Sequence, residues 1–500
     1  MVATKGVSLR ALAAAARDLL GVEPDADGVV TGMAYDSRAV MPGDLFFCVP
    51  GTVSDGHLHA PAAVGSGASA LCVQRPLSLG IPEIVVADVR RAMPRMAAAF
   101  YGHPADSLQV LAVTGTNGKT TTAFLLEAIL SAAGRTTGLI GTIETRIGPE
   151  VRPGIRTTPE SLDLQRLFRQ MKDRDVDAVA MEVTSHGLVL HRVDEVRFVA
   201  VGFTNLSQDH LDFHATMEDY FAAKKSLFVP ERADRGAVNV DDPYGRKLIA
   251  TAPIDSIGFG VSHEAEVRAV DVKLEPSGMT IRIISPEGEF EVETGLVGNF
   301  NVSNCLAATA VALQAGIDLD AIAAGLAGVR SVPGRFESVD RGQPFSVVVD
   351  YAHTPDSLDN VLRAARRMAE SHGGRVICAF GCGGDRDRGK RPLMGAVVAR
   401  LVDVVIVTSD NPRSEDPEAI IAEVLEGIVA ERPGGPDATL VDRREAIERA
   451  IRHAAPGDVV VIAGKGHESG QEFADRKIPF DDRRVAAETL EELGYAGGAA

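Results

Sequence analysis

Leu111-Ala112-Val113-Thr114-Gly115-Thr116-Asn117-Gly118-Lys119-Thr120 is the stretch that decides how this chain folds. An apolar run enters a glycine turn, and the turn ends in Lys-Thr. A helical pattern follows, with Phe124, Leu125, Ala128, Ile129 and Ala132 on one face and Gly134 as its stop. Strand, glycine loop and helix N-terminus in that order form a phosphate cradle. Backbone N–H groups and the helix dipole face the anion, Lys119 adds a point charge, and Thr120 is placed to hold a magnesium ion. The common pattern G-x-x-x-x-G-K-[ST] needs a glycine where this chain has Val113, so the loop T-G-T-N-G-K-T is a shortened form.

The bulk numbers are those of an ordinary globular protein: 500 residues, 45% hydrophobic and 24% charged. At roughly 150 residues per domain, that length suggests about three domains. The formal net charge of −18 argues against general nucleic-acid binding, which needs a basic footprint, but it leaves room for a local cationic site. No segment reads as a signal peptide or a transmembrane helix. Cys48, Cys72, Cys305, Cys378 and Cys382 are odd in number and scattered, as expected of free thiols in a reducing cytoplasm. Cys378 and Cys382 do not form a C-x-x-C pair and are expected in a strand and a loop, without metal. The tail Gly497–Ala500 reads as a frayed end.

Residues 1–108 contain short β-like runs at 45–49, 70–73 and 83–86 and a helical pattern at 91–101, the signature of a small α/β domain. From 109 to 334, strand candidates at 109–114, 137–140, 178–183, 198–203 and 236–240 alternate with helices, which predicts a mostly parallel sheet covered on both faces. Tighter alternation over 265–296 predicts added antiparallel strands, and 299–315 reads as a helix. From 335 to 500 a new α/β alternation begins, with strands at 346–349, 375–380, 404–408 and 458–462. A polar or glycine motif follows each one: Asp350-Tyr351-Ala352-His353, Gly381 to Arg386, Ser409-Asp410-Asn411-Pro412-Arg413, and Gly464-Lys465-Gly466-His467-Glu468. Ligands of open parallel sheets bind outside the carboxyl ends of the strands, so these motifs predict a second site.

Further polar groups extend the first site. Met181-Glu182-Val183-Thr184-Ser185-His186 ends a buried strand with a carboxylate suited to magnesium, and Thr204 to Asp212 follows another strand end. Lys224 and Lys225 lie in a helical stretch. Taken alone they read as a solvated face. A lysine serves beside magnesium only if its charge is reversed, as carbamylation by carbon dioxide would do.

These segments together resemble the Mur ligases, the ATP-dependent amide-forming enzymes of peptidoglycan synthesis. The similarity runs over nearly the whole chain and rests on T-G-T-N-G-K-T, M-E-V-T-S-H, T-N-L-S-Q-D-H-L-D, the A-A-K helix, G-N-F-N-V-S-N, P-G-R-F-E, D-Y-A-H-T-P-D-S, Asp36-Ser37-Arg38 and Pro42 to Phe46. The resemblance implies three domains: a UDP-binding domain at 1–108, a P-loop-type ATPase domain at 109–334 and a Rossmann-like amino-acid-binding domain at 335–500. It places Gly115, Thr116, Asn117, Gly118, Lys119, Thr120 and Thr121 on ATP, with Asn299, Asn301, Asn304, Arg335 and Asp350 around the nucleotide. It makes Thr120, Glu182 and His210 magnesium ligands, and Lys224 a carbamylated lysine among them. Ser37 is similar to a residue that contacts the UDP part, and Thr157, Thr158, Ser185 and Arg192 to contacts of the muramyl peptide. Many relatives have glutamine where this chain has Leu190, so no substrate role is carried onto that position.

The resemblance also implies the reaction: ATP activates the side-chain carboxylate of D-glutamate in UDP-N-acetylmuramoyl-L-alanyl-D-glutamate, and an amino acid attacks the acyl phosphate. In this family Asp410-Asn411-Pro412-Arg413 marks members that take meso-diaminopimelate rather than lysine, and Arg386, Gly464 and Glu468 join that pocket. A guanidinium suits the distal carboxylate that only diaminopimelate has, and Glu468 suits the distal ammonium. A cytoplasmic location and contacts with other Mur ligases or cell-division proteins follow from the same resemblance. A lysine-adding ligase and a folylpolyglutamate synthetase remain the nearest alternatives. A nucleotide-operated regulator is disfavoured by the lack of a guanine-reading Asn-Lys-x-Asp motif, and a non-catalytic scaffold by the intact lysine, acid and pocket motifs.

Overall fold

The computed structural model describes residues 6–21, 28–51, 54–275 and 278–495; the tail Gly497–Ala500 lies outside these described residues. Among the described residues three large sheets, each with its own covering helices, follow one another along the chain, beside two small two-stranded ones. The first is parallel, in the order Gly32–Ala34, Asp44–Phe47, Ala70–Val73, Glu83–Val85.

The second sheet has eleven strands. Its parallel centre runs Thr137–Ile140, Ala178–Glu182, Gln109–Thr114, Phe198–Phe203, Ala233–Asn239, Asp255–Gly260, Val267–Glu275. The predicted antiparallel strands, Gly278–Ser285 and Gly288–Thr294, extend this same sheet at one edge. An unforeseen hairpin, Glu144–Ile147 with Glu150–Pro153, closes the other edge. The strand Gln109–Thr114 is central, and register sets Glu182 opposite Val113 and Phe203 opposite Thr114. The residues that follow these strands therefore gather around the glycine turn.

The helix Lys119–Ala132 departs from its expected single apolar face. Thr120 through Leu126, Ile129 and Leu130 are all buried, Ala128 is half-buried and Ala132 is exposed. It is wedged between the sheet and the helices Asn299–Gln314 and Leu319–Gly328, so nearly its whole circumference is packed. The third sheet is ordered Glu337–Ser338, Ser346–Asp350, Val459–Ala463, Val376–Phe380, Val404–Thr408, Ala438–Leu440, parallel except at the first pair. All five cysteines are buried and free. Among the described residues no helix is long and apolar enough to cross a membrane.

The helix Ser161–Lys172 fastens the first sheet to the second. Its Leu162 is buried in the core of the N-terminal layer. Tyr35 donates to Asp163 at 2.6 Å, and Arg166 donates to the Met33 carbonyl at 3.3 Å. Truncating a fully buried leucine costs about 2–5 kcal/mol. Leu162→Ala is therefore expected to lower the first calorimetric transition and to speed proteolysis around residues 102–108. An unchanged thermogram and digestion pattern would remove this residue from the junction.

Candidate active site

The glycine turn forms a cradle whose shape depends on close approach. Gly118 has φ +86°, and a Cβ there would lie 2.4 Å from Asn304 Oδ1. Asn304 is fixed in turn: its amide donates to Asn301 Oδ1 at 2.8 Å, and Asn301 donates to the Val297 carbonyl. Asn205 accepts from the Asn117 backbone at 2.9 Å, and Thr116 Oγ1 lies 3.1 Å from Tyr220 Oη. The turn, Asn299, Asn304, Glu182, His210, Arg335 and Asp350 line one cavity of about 480 Å³. Asn301 stands behind it as a support.

Two lysines meet beneath this turn. Lys119 Nζ donates to the carbonyls of Gly115 and Thr116 at 3.0 and 2.8 Å. Lys224 Nζ donates to the same Gly115 carbonyl at 2.7 Å and lies 4.6 Å from the Tyr220 ring centroid. Lys224 is 1% exposed, so the solvated-face reading is overturned for it, whereas Lys225 points outward and donates to Thr251. Burial pushes the Lys224 ammonium well below its usual range, with Lys119 adding repulsion. Burial also lowers Lys119, against the attraction of Glu182 and Asp209.

Glu182, 1% exposed, accepts from Thr120 Oγ1 at 2.9 Å and from Thr142 through its backbone N–H at 2.7 Å and its hydroxyl at 3.1 Å. His210 is in left-handed backbone at φ +55°, with Nε2 3.3 Å from Asp209. Burial pushes its imidazole down to about 4. Among the described residues no three His, Cys, Asp or Glu side chains form a metal cage. Oxygen donors from Thr120 and Glu182, with the neutral imidazole of His210 on the same cavity, nevertheless fit an ion such as magnesium, which prefers oxygen ligands and usually keeps several waters.

The C-terminal layer closes the cavity. Arg335 Nη2 donates to Thr120 Oγ1 at 2.9 Å, its guanidinium lies 4.5 Å from the Tyr351 ring centroid, and its Nε is buried without a hydrogen-bond partner. Asp350 receives the Phe336 and Ala352 backbone N–H groups at 2.6 and 2.7 Å, so it fixes the backbone beside Arg335. Burial pushes its carboxyl up to about 6. Asp356 accepts from Asn117 at 2.7 Å and Ser207 at 3.0 Å. Its role as a bridge was not foreseen, although D-Y-A-H-T-P-D-S contains it.

A second cavity, about 710 Å³, adjoins the first and shares Thr142, Thr157 and Tyr351 with it. Asn411, Arg413 and Glu468 line it. Arg413 Nη1 donates to the Gly384 carbonyl at 2.6 Å, and its Nε is 3.4 Å from Glu472. Asp410 and Pro412 are buried behind the cavity. Gly464, at φ +118°, would place a Cβ 2.4 Å from Asp410 Oδ2, which binds the two motifs to one shape. Arg386 is exposed, donates to the Asp385 carbonyl, and lies outside both cavity linings.

The remaining expected residues are spread along the first two layers. Thr157 Oγ1 lies 2.9 Å from Thr142 Oγ1, whereas Thr158 Oγ1 is held by the Glu182 carbonyl and Thr184. Ser185 pairs with His214 at 2.9 Å. Arg192 pairs with Glu160 at 2.7 Å and leaves its buried Nε without a partner. Ser37 opens a short turn in the first layer, away from both cavities. Thr142 was missed, since only strand register brings it to the site, and Asn205 and Lys465 stood inside quoted motifs without a role of their own.

The chain as a whole is similar to known proteins. The family descriptions "Mur ligase family, catalytic domain", "Mur ligase middle domain" and "Mur ligase, glutamate ligase domain" match residues 29–112, 113–312 and 334–466. The UDP-N-acetylmuramoyl-L-alanyl-D-glutamate–2,6-diaminopimelate ligase of Geobacillus kaustophilus is 48% identical over 95% of this chain and 96% of its own length. The ligase of that name from Streptomyces coelicolor is 48% identical over 95% of both chains. A solved structure of a ligase of that name is 33% identical, with a TM-score of 0.68 over 98% of this chain and 100% of that one. The folylpolyglutamate synthase of Mycobacterium tuberculosis complexed with ADP shares the fold at 18% identity, with a TM-score of 0.61 over 82% of this chain and 95% of that one. With all three domain descriptions matched in order and nearly half the residues retained from end to end, the chain belongs to the Mur ligase family.

Proposed function

We propose that the protein uses ATP to join meso-diaminopimelate to UDP-N-acetylmuramoyl-L-alanyl-D-glutamate, in the cytoplasm, with working domains at 1–108, 109–334 and 335–500. The observation that carries this reading is the pair of adjoining cavities. One is built around the glycine turn, the other around Asn411, Arg413 and Glu468, and Thr142, Thr157 and Tyr351 belong to both. A carboxylate activated in the first would meet an amine held in the second. The likeness to folylpolyglutamate synthase is one of fold and leaves the Asn411–Arg413–Glu468 cavity unexplained.

The chemistry follows from the difficulty of the reaction. A carboxylate resists an amine, so its oxygen first attacks the terminal phosphorus of ATP and ADP departs. The amine nitrogen then attacks the acyl carbon, loses a proton, and phosphate leaves. The turn and the helix N-terminus of Lys119–Ala132 hold the phosphates, and Lys119 and Arg335 face the charge that builds on the transferring group. Asn299 and Asn304 border the nucleotide, with Asp350 fixing the backbone beside Arg335. Arg192, Thr157 and Ser185 position the muramyl peptide, and Ser37 the uridine end. Thr120, Glu182, His210 and a carbamylated Lys224 would hold magnesium, which when bound screens phosphate charge. Carbamylation forms an N–C bond between the neutral Lys224 amine and carbon dioxide with release of a proton, and burial of Lys224 favours the neutral amine. The direct test of the function is phosphate release from ATP with the UDP-muramyl dipeptide while the amino acid is varied.

Three outcomes are expected. Lys119→Ala should abolish acyl-phosphate formation, read by hydroxylamine trapping, with the fold retained by circular dichroism; near-normal trapping would remove this loop from catalysis. Lys224→Ala should lose most activity and Lys225→Ala little, and mass measurement without acid should find a carbamate on Lys224. A plain ammonium there in a well-resolved nucleotide–metal complex would refute the modification.

The wild type should prefer meso-diaminopimelate to L-lysine. Leaving the guanidinium without its anion costs roughly 2–5 kcal/mol, so a preference of about a hundredfold or more is expected. Arg413→Ala should narrow that ratio, and Arg413→Lys should not restore it, because an ammonium lacks the planar fork. Specificity constants for both amino acids decide this: equal use by the wild type would overturn the substrate assignment.

A further inference from the structure

Lys465 lies in the G-K-G-H-E loop, and its side chain is wholly buried. Its Nζ donates to Asn411 Oδ1 at 2.9 Å and to Glu468 Oε2 at 3.0 Å. Asn411 Nδ2 donates to the same Glu468 oxygen at 2.7 Å, and Asn411 Oδ1 also accepts from the Glu472 backbone at 3.0 Å. The three side chains therefore form a closed triangle between two loops that lie more than fifty residues apart in sequence. Each donor faces an acceptor, which fixes the Asn411 amide and engages one oxygen of Glu468. The other oxygen is left to the second cavity, which Glu468 and Asn411 both line. Lys465 is absent from that lining and acts from behind it.

The geometry points to Lys465 as a positioning and specificity-determining residue for the amino acid. It aims Glu468 at the substrate's distal ammonium and balances the charge of that carboxylate. This rests on the reading of the second cavity as the amino-acid pocket. A charge-balanced Glu468 on the same cavity as Arg413 suits a distal group carrying both an ammonium and a carboxylate. It offers little to a lone ammonium such as that of lysine, because the Glu468 charge is already balanced. Selection against a near relative by withholding charge is a recognised route to specificity. Removing Lys465 while keeping Glu468 would free the carboxylate to turn and leave its charge unbalanced, which favours the lone ammonium. Removing Glu468 while keeping Lys465 would bury an unpaired cation, which is costly.

These opposing consequences make a double-mutant cycle decisive. Phosphate release is measured at saturating ATP and UDP-muramyl dipeptide in wild type, Lys465→Met, Glu468→Gln and the double variant, with meso-diaminopimelate and L-lysine in turn. Lys465→Met should raise KM for diaminopimelate at least tenfold, lower the diaminopimelate-to-lysine preference at least tenfold, and leave KM for ATP within twofold. In the Glu468→Gln background the same substitution should leave KM for diaminopimelate unchanged or lower it. An equal fold-effect of Lys465→Met in both backgrounds overturns the inference, as does a matching rise in KM for ATP. If wild type is indifferent to diaminopimelate, the pocket reading itself falls and this inference with it; a retained preference with independent effects removes the inference alone. Should Lys465→Met fail to fold, Lys465→Gln, which keeps a donor, runs the same cycle, and the same absence of coupling overturns the proposal.

Discussion

Thr120 Oγ1 joins three parts of the molecule through two hydrogen bonds: it donates to Glu182 and accepts from Arg335, each at 2.9 Å. Its place at the start of the packed helix is set by the glycine turn. Glu182 arrives because two parallel strands are in register, and Arg335 comes from the connection into the third sheet. A slip of one residue in that strand pair would turn the carboxylate to the opposite face of the sheet. The active-site geometry is in this sense a property of the sheet, and the loops are shaped to meet it.

Around that point the chain concentrates cations although its net charge is −18. Lys119, Lys224 and Arg335 lie on or beneath one cavity, and burial weakens the protonated form of both lysines. Such a cluster is costly to assemble in low dielectric, and phosphate groups are the ligands that repay it. Overall charge thus argues against broad polyanion binding while saying little about a site a few ångströms wide.

The sequence made the central elements legible where local signals were strong. The strand before the glycine turn and those at 137–140, 198–203 and 404–408 begin and end where apolar run and turn residues predict. The Glu144–Pro153 hairpin was missed because Glu-Thr-Arg-Ile and Glu-Val-Arg-Pro are short and polar, and only their sheet-edge position makes them strands. The helix Lys119–Ala132 misled for the opposite reason: an apparent single face hides packing on nearly every side. Among site residues, those in long motifs were legible. Thr142 was not, because its partner Glu182 lies 40 residues away, and Lys465 was quoted in its motif without a role because its partner Asn411 lies 54 residues away. The burial of Lys224 likewise depends on helix orientation, which local composition does not encode.

The wall common to the two cavities, Thr142, Thr157 and Tyr351, has a consequence for how faithfully ATP would be used. An acyl phosphate is a mixed anhydride with two competing fates, aminolysis and hydrolysis. Tyr351, held against the Arg335 guanidinium and leaning on His467 at 5.3 Å between ring centroids, makes part of that partition aromatic. The shorter and drier the crossing, the greater the fraction of intermediates captured by the amine before water reaches them. The coupling ratio, amide bonds formed per ATP consumed, would then depend on this shared wall as well as on the groups that carry out the chemistry.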